Sequence, residues 1–152
     1  PQNLHLTLSY IGEASNILLE DLADVLSGLA VRAFCMQLRG INHFTSKGRS
    51  KSIWVDVAEE PSLFFLQSKI KNCLQINRIP IDKRQFSPHV TLARLKNVRP
   101  EDAAGFIAFN NLFKTRPFRV QSFTLFESIS TKEGSIYLPL EKFRLIWRVH
   151  QK

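Results

Sequence analysis

The chain has 152 residues, 44% of them hydrophobic, which is enough for one domain with a substantial core. No run approaches the roughly 18 apolar residues of a membrane span, and no charged-then-apolar signal segment opens the sequence, so we expect no membrane association. The 21 Lys and Arg residues outnumber the 13 Asp and Glu residues, and the formal charge of +8 favours a polyanionic partner, because a positive surface attracts phosphates.

The two cysteines, Cys35 and Cys73, lie far apart in the sequence. Cys35 falls in a strand-like run and Cys73 at the end of a helix-like run, so we expect both to be reduced and buried, as in a cytoplasmic protein. Two cysteines are also too few for a Cys-based metal site.

The first half of the chain alternates patterns typical of strands and helices. A strand is predicted over residues 4–10, and Ser15 can cap a helix that reaches about Leu29, with leucines at helical spacing. A strand over residues 33–41, a polar basic loop over 45–51 and a strand over 52–57 follow.

The second half begins with a predicted helix over residues 61–74, whose apolar face carries Leu63, Leu66, Ile70 and Leu74. An irregular segment over 76–88 leads to a strand over 89–95, and a helix over 100–111 begins at Pro100. Strands over 118–127 and 135–140 are joined by a tight turn at 132–134, and a last apolar strand or irregular tail covers 143–149.

The order of these predicted elements repeats. Each half reads as one strand, one helix and two further strands, with a linking helix between the halves. If the halves pack as pseudo-symmetric lobes, equivalent strands lie side by side or face to face.

The first strand of each half carries the same short phrase, His5-Leu6-Thr7 in one and His89-Val90-Thr91 in the other. On a strand, residues two apart point to the same side. Each phrase therefore predicts a polar face with a histidine and a threonine. The opposite, apolar face is expected to carry Leu4, Leu6 and Leu8 in the first strand and Val90 and Leu92 in the second. Because the order of elements repeats, packing of the two halves can bring both His-Thr pairs to one site.

Two histidines that face one substrate suit in-line displacement at phosphorus. One imidazole can take a proton from the attacking oxygen while the other gives one to the leaving oxygen, since the unperturbed histidine pKa of about 6.5 lies near working pH. Thr7 and Thr91 can donate to phosphate oxygens, and Arg94 can neutralise phosphate charge. This chemistry needs no metal or cofactor, and two histidines with no nearby carboxylate make a poor zinc site.

The residues also resemble a known family. The two His-x-Thr phrases, Gly12 after the first, and the context Phe86-Ser87-Pro88 before the second are similar to the 2H phosphoesterase superfamily, and most similar to its bacterial 2'-5' RNA ligase or RNA 2',3'-cyclic phosphodiesterase family. The likeness extends to Trp54-Val55 and to Phe126-Glu127-Ser128.

The resemblance implies an α+β fold of two pseudo-symmetric lobes, with two antiparallel sheets around a central cleft and flanking helices. It implies a single domain over residues 1–152. The sequence departs from the family in one respect: members usually begin with an apolar strand and a helix before the first motif, so either the given sequence is truncated or the first lobe lacks a strand. The resemblance also implies hydrolysis of RNA 2',3'-cyclic phosphate ends to 2'-phosphates and reversible 2'-5' ligation of tRNA halves. Carried over, His5 and His89 are catalytic, and Thr7, Thr91 and Arg94 bind phosphate.

Other residues are weaker candidates. Phe44 can stack a base, and Lys47, Arg49 and Lys51 of the basic loop can contact the RNA backbone, although such loops are often merely solvated. Trp54 is expected in the core. His43 and His150 lie outside the repeated phrases and are assigned no chemistry.

Several functions remain open on these residues. A non-catalytic nucleotide or RNA binding module is the main alternative, and small cyclic nucleotides, an ADP-ribose cyclic phosphate or 2'-5' oligonucleotides are alternative substrates of the same chemistry. The basic charge favours RNA ends, and we expect a monomer.

Overall fold

The computed structural model describes residues 3–132 and 134–147, and has an α+β fold with antiparallel sheets, as the sequence predicts. The helices are α1 (Asn16–Ser27), α2 (Pro61–Ile76) and α3 (Pro100–Phe109). The strands are β1 (Phe34–Met36), β2 (Leu38–Ser46), β3 (Arg49–Val57), β4 (His89–Val98), β5 (Phe118–Val120), β6 (Ser122–Thr131) and β7 (Gly134–Arg144). No helix of the described residues is long and apolar enough to cross a membrane.

The chain divides into two compact units, and neither unit is a continuous half of the sequence. Unit 1 contains the described residues up to Thr7 together with Met36–Glu60 and Gln85–Phe118. Unit 2 contains Leu8–Cys35, Pro61–Arg84 and the described residues from Arg119 onward. Both His-x-Thr phrases therefore lie in unit 1.

The sheet of unit 1 has the order β2-β3-β4, with antiparallel neighbours. One face carries the core residues Ile41, Ile53, Val55 and Val90, of which Val55 is only 1% exposed. Helix α3 packs on β2 and β3, and its Ile107 lies against this core. The other face carries the residues that alternate with these.

A two-residue turn joins β2 to β3. Lys47 and Gly48 both have positive φ, 51° and 67°, as a type I′ hairpin turn requires. The loop expected over residues 45–51 is therefore wrong, because both strands continue almost to the tip of the hairpin. The tip exposes Lys47, Arg49 and Lys51, which we call the tip cations.

In unit 2, helices α1 and α2 pack against each other. The Ser15 hydroxyl accepts a hydrogen bond from the backbone N–H of Leu18 at 3.3 Å, which confirms the predicted cap of α1. The four residues predicted for the apolar face of α2 are all buried. The exposure of Cys35 contradicts our expectation, because β1 turns Phe34 and Met36 inward and the thiol outward. Cys73 is half-buried, and burial raises the pKa of its thiol.

Strands β6 and β7 form an antiparallel ribbon in unit 2. The strand predicted over residues 118–127 is interrupted at Gln121, whose carbonyl accepts a hydrogen bond from the N–H of Leu145 at 2.8 Å. Of the turn predicted at residues 132–134, Glu133 lies outside the described residues. Residues 148 and 149 of the segment predicted over 143–149 also lie outside them, and β7 ends at Arg144.

Candidate functional site

The first His-x-Thr phrase meets the second at one backbone bridge, in which Leu6 pairs with Val90 of β4 in antiparallel fashion. The strand predicted over residues 4–10 is wrong beyond this bridge, because the chain bends at Leu8 and no neighbouring residue of the segment joins a ladder. Leu4, expected on the apolar face, is 52% exposed. The first His-x-Thr phrase thus forms a single β-bridge to β4, at the edge of the sheet of unit 1.

This bridge sets the register of the two phrases. Residues directly opposite each other in an antiparallel pair point to the same face, and Val90 and Leu6 both pack in the core of unit 1. Continuing the register by one residue in each direction puts His5 opposite Thr91 and Thr7 opposite His89. The four polar side chains then share the other face of the sheet. His5 and His89 are diagonal neighbours, which corresponds to about 7–8 Å between backbone positions.

Each histidine is oriented by the same local hydrogen bond. Nδ1 of His5 lies 2.7 Å from the carbonyl oxygen of Asn3, and Nδ1 of His89 lies 2.8 Å from the carbonyl oxygen of Ser87. Because a carbonyl can only accept, Nδ1 is the protonated nitrogen in both rings. The neutral form of each imidazole then presents its Nε2 lone pair away from its own backbone, where it can take a proton.

Strand β3 supplies two neighbours of these residues that the sequence patterns did not place correctly. Trp54 pairs with Thr91, and its ring lies 5.3 Å from that of His89 between centroids, tilted by 54°, so its expected place in the core is wrong. Asp56 pairs with His89, which corrects the expectation of no nearby carboxylate. The alternation of both residues with Ile53 and Val55 was the signal that could have placed them on this face.

Asp56 has a perturbed carboxyl group. Partial burial raises its pKa, and the positive charge of a protonated His89 opposes that rise. Among the described residues, no group of three or more His, Cys, Asp or Glu side chains is placed to hold a metal ion.

A β-bulge brings Arg94 to the same face. Trp54 pairs with Thr91, but the next residue back along β3, Ile53, pairs with Ala93, so Leu92 is the extra residue in β4. Without the extra residue Leu92, positions 91 and 94 would point to opposite faces. Leu92 is 43% exposed, contrary to its expected place on the apolar face.

Phe44 extends the polar face toward the tip of the hairpin. It pairs with Ser52, which in turn pairs with Arg94, so the three residues form one row across β2, β3 and β4. Phe44 is 59% exposed, as a stacking residue must be. Arg49 pairs with Ser46 two positions further toward the tip. In the described part of the chain, no carboxylate forms an ion pair with Arg94 or the tip cations.

The remaining two histidines do not join this face. His43 lies on the core side of β2, and its Nδ1 is 3.0 Å from the hydroxyl oxygen of the fully buried Ser50. His150 lies outside the described residues. The site residues that the structure brings to one face are therefore His5, Thr7, His89, Thr91 and Arg94.

This face can bind and process a phosphate diester. The two imidazoles can transfer protons at Nε2, and the two hydroxyls can donate to non-bridging oxygens. The Arg94 guanidinium, which forms no ion pair with a carboxylate among the described residues, can neutralise phosphate charge.

Comparisons with known proteins agree with the family resemblance found in the sequence. A family model described as the 2'-5' RNA ligase superfamily matches residues 1–131. An RNA 2',3'-cyclic phosphodiesterase of Archaeoglobus fulgidus is 30% identical over 94% of this chain and 80% of its own length. A protein of the same name from Aeropyrum pernix is 30% identical over 91% of this chain and 80% of its own length.

The fold has solved counterparts. A structure from Thermus thermophilus is 27% identical and has a TM-score of 0.73, covering 93% of this chain and 78% of its own. The apo form of Escherichia coli LigT has a TM-score of 0.74 at 23% identity, covering 95% of this chain and 77% of its own. Since the family model covers most of the sequence and the Archaeoglobus relative is matched over 80% of its length, the chain belongs to the 2'-5' RNA ligase superfamily.

Proposed function

We propose that this chain is a metal-independent phosphodiesterase that hydrolyses RNA 2',3'-cyclic phosphate ends to 2'-phosphates. The observation that supports it most is the Leu6–Val90 bridge, because its register gathers two imidazoles and two hydroxyls on one face. The relatives named RNA 2',3'-cyclic phosphodiesterase support the substrate class.

The proposed reaction is one in-line displacement. A water oxygen attacks phosphorus as the bond from phosphorus to O3' breaks. One of His5 and His89 takes the proton of the water at Nε2, and the other, protonated at Nε2, gives a proton to O3'. Thr7, Thr91 and Arg94 hold the non-bridging oxygens while negative charge builds on them. The proton that one histidine takes from water is matched by the proton that the other gives to O3'. The step therefore requires no metal.

RNA contacts beyond the phosphate are assigned to the same sheet. Phe44 stacks the terminal or adjacent base, and the tip cations contact the backbone of the strand that follows. The net charge of +8 supports a polyanionic substrate. We assign the activity to a monomer in the cytoplasm, with tRNA halves among its substrates.

The decisive assay uses an oligonucleotide with a 2',3'-cyclic phosphate end, in excess chelator. We expect turnover with a bell-shaped pH profile and a 2'-phosphate product, identified by its resistance to a 3'-specific phosphatase. His5→Ala and His89→Ala should each lower kcat by about 10²–10⁴-fold. Full activity in either variant would refute the assignment.

A binding module without catalysis would give a different result. It would retain the oligonucleotide with salt-dependent affinity and show no turnover in the unmodified chain.

Reversible 2'-5' ligation is a second candidate, which the description of the matched family supports. In this reaction a 5'-hydroxyl of a second RNA end takes the place of water at the same phosphorus. Incubation of two tRNA halves should then yield a joined product that resists a nuclease specific for 3'-5' linkages.

A further inference from the structure

Asp56 is the last residue but one of β3. Aspartate is depleted in strands. Among the described residues, no Lys or Arg forms an ion pair with Asp56. The neighbouring residues Val55 and Val57 point to the core face of the sheet, whereas the half-buried carboxyl group of Asp56 points to the polar face.

The register brings this carboxyl group to one histidine. Asp56 and His89 are directly opposite each other on β3 and β4, and Val55 and Val90, the next pair, point into the core. Side chains directly opposite on one face have Cβ atoms about 4.5–5.5 Å apart. The indole of Trp54 lies against the same imidazole, so the ring of His89 is flanked by Trp54 and Asp56 on the β3 side.

The two phrases are therefore equivalent in sequence but not in environment. Across the bridge, His5 has Thr91 opposite it, whereas His89 has Thr7 on one side and Asp56 on the other. We propose that Asp56 is a positioning residue that stabilises the imidazolium form of His89, so that the two histidines of the site differ in protonation. Both rings make the same Nδ1 hydrogen bond, and the register of β3 places Asp56 opposite His89.

Other charged groups on this face act on both histidines. Among the described residues of unit 1 they include Arg94 on β4, the opposite histidine itself and Arg49 near the tip of the hairpin; Arg39 lies on β2 at the irregularity opposite Asp56. Both Arg94 and Arg39 oppose an imidazolium, so Asp56 is the group that favours one. The net positive charge of the chain would act on the titration of His5 and His89 alike. An effect confined to His89 would therefore identify Asp56 as its source.

The direct test is an NMR titration of the imidazole Cε1–H signals, assigned with His5→Gln and His89→Gln. In Asp56→Asn the titration midpoint of His89 should fall by about half a pH unit, the size expected of a partly exposed charge pair, and that of His5 should move far less. Asp56→Glu should restore most of the shift. Glu59→Gln, which removes an exposed carboxylate three residues away, should leave His89 unchanged.

Three results would overturn the proposal: an unchanged His89 midpoint in Asp56→Asn, equal shifts of His5 and His89, or the same shift in Glu59→Gln. Thermal unfolding of each variant shows whether the fold is kept. The catalytic consequence rests on the proposed function, and predicts that Asp56→Asn moves one limb of the pH profile to lower pH. The NMR titration does not depend on turnover, so an inactive wild-type chain would refute the function and still leave the proposal about Asp56 to be decided.

Discussion

Arg94 offers a sharp test of the polar face, because only the bulge at Leu92 places it there. Its guanidinium is exposed and has no ion pair among the described residues, so it is available to a phosphate. Hydrogen bonds to charged groups contribute about 1.5–3 kcal/mol. At 1.36 kcal/mol per tenfold, Arg94→Ala should lower kcat/KM by about 10–150-fold. The kcat/KM of Arg94→Lys, which keeps the charge and loses the paired donors, should lie between those of the wild type and Arg94→Ala.

The assay is steady-state hydrolysis of a cyclic-phosphate-ended oligonucleotide at fixed salt, with thermal unfolding measured in parallel. Because Arg94 is exposed, the free energy of unfolding should change by no more than about 0.5 kcal/mol. Lys96→Ala is the matched control, since Lys96 is an exposed cation on the same strand. Full kcat/KM in Arg94→Ala would refute the phosphate-binding role. An equal decrease in Lys96→Ala would also refute it, since the decrease would then reflect net charge alone.

Three further predictions concern the same face. Phe44→Ala should raise KM for an oligonucleotide by about 5–150-fold, from a stacking loss of about 1–3 kcal/mol, without lowering the melting temperature, and an unchanged KM would remove Phe44 from the site. Replacing the tip cations with Gln should reduce the salt slope of RNA binding by about 0.7 for each phosphate that is no longer neutralised, measured by fluorescence anisotropy; an identical slope would show that the hairpin tip does not touch RNA. Because burial raises the folded-state pKa of Asp56, its contribution to stability is present below the unfolded pKa of about 3.9 and is lost as pH rises through the higher folded value. The stability of the wild type relative to Asp56→Asn, from urea unfolding, should therefore decrease as the pH rises from below the unfolded pKa through the higher folded pKa, and a constant difference would contradict this assignment.

Local patterns predicted much of the fold. The helix at Pro61 and its four buried residues follow from spacing along one element, and the cap at Ser15 follows from a hydrogen bond within one turn. Interactions of this kind involve neighbours in sequence, so they can be read without knowing the topology. The tip of the β2–β3 hairpin could not be read in this way, because polar residues there pair across strands rather than form a loop.

The sequence by itself determined which chemical groups are present: two matched histidines, two threonines and an arginine, in a basic chain of the 2'-5' RNA ligase superfamily. Only the tertiary structure decided their surroundings. The single Leu6–Val90 bridge sets which residues lie opposite each other, the bulge at Leu92 sets the direction of Arg94, and the register of β3 sets Asp56 beside His89. Register and bulges depend on pairing between segments distant in sequence, and one residue of slip reverses every face. For that reason the sequence names the groups that we propose to react, whereas the sheet determines which histidine has a carboxylate beside it.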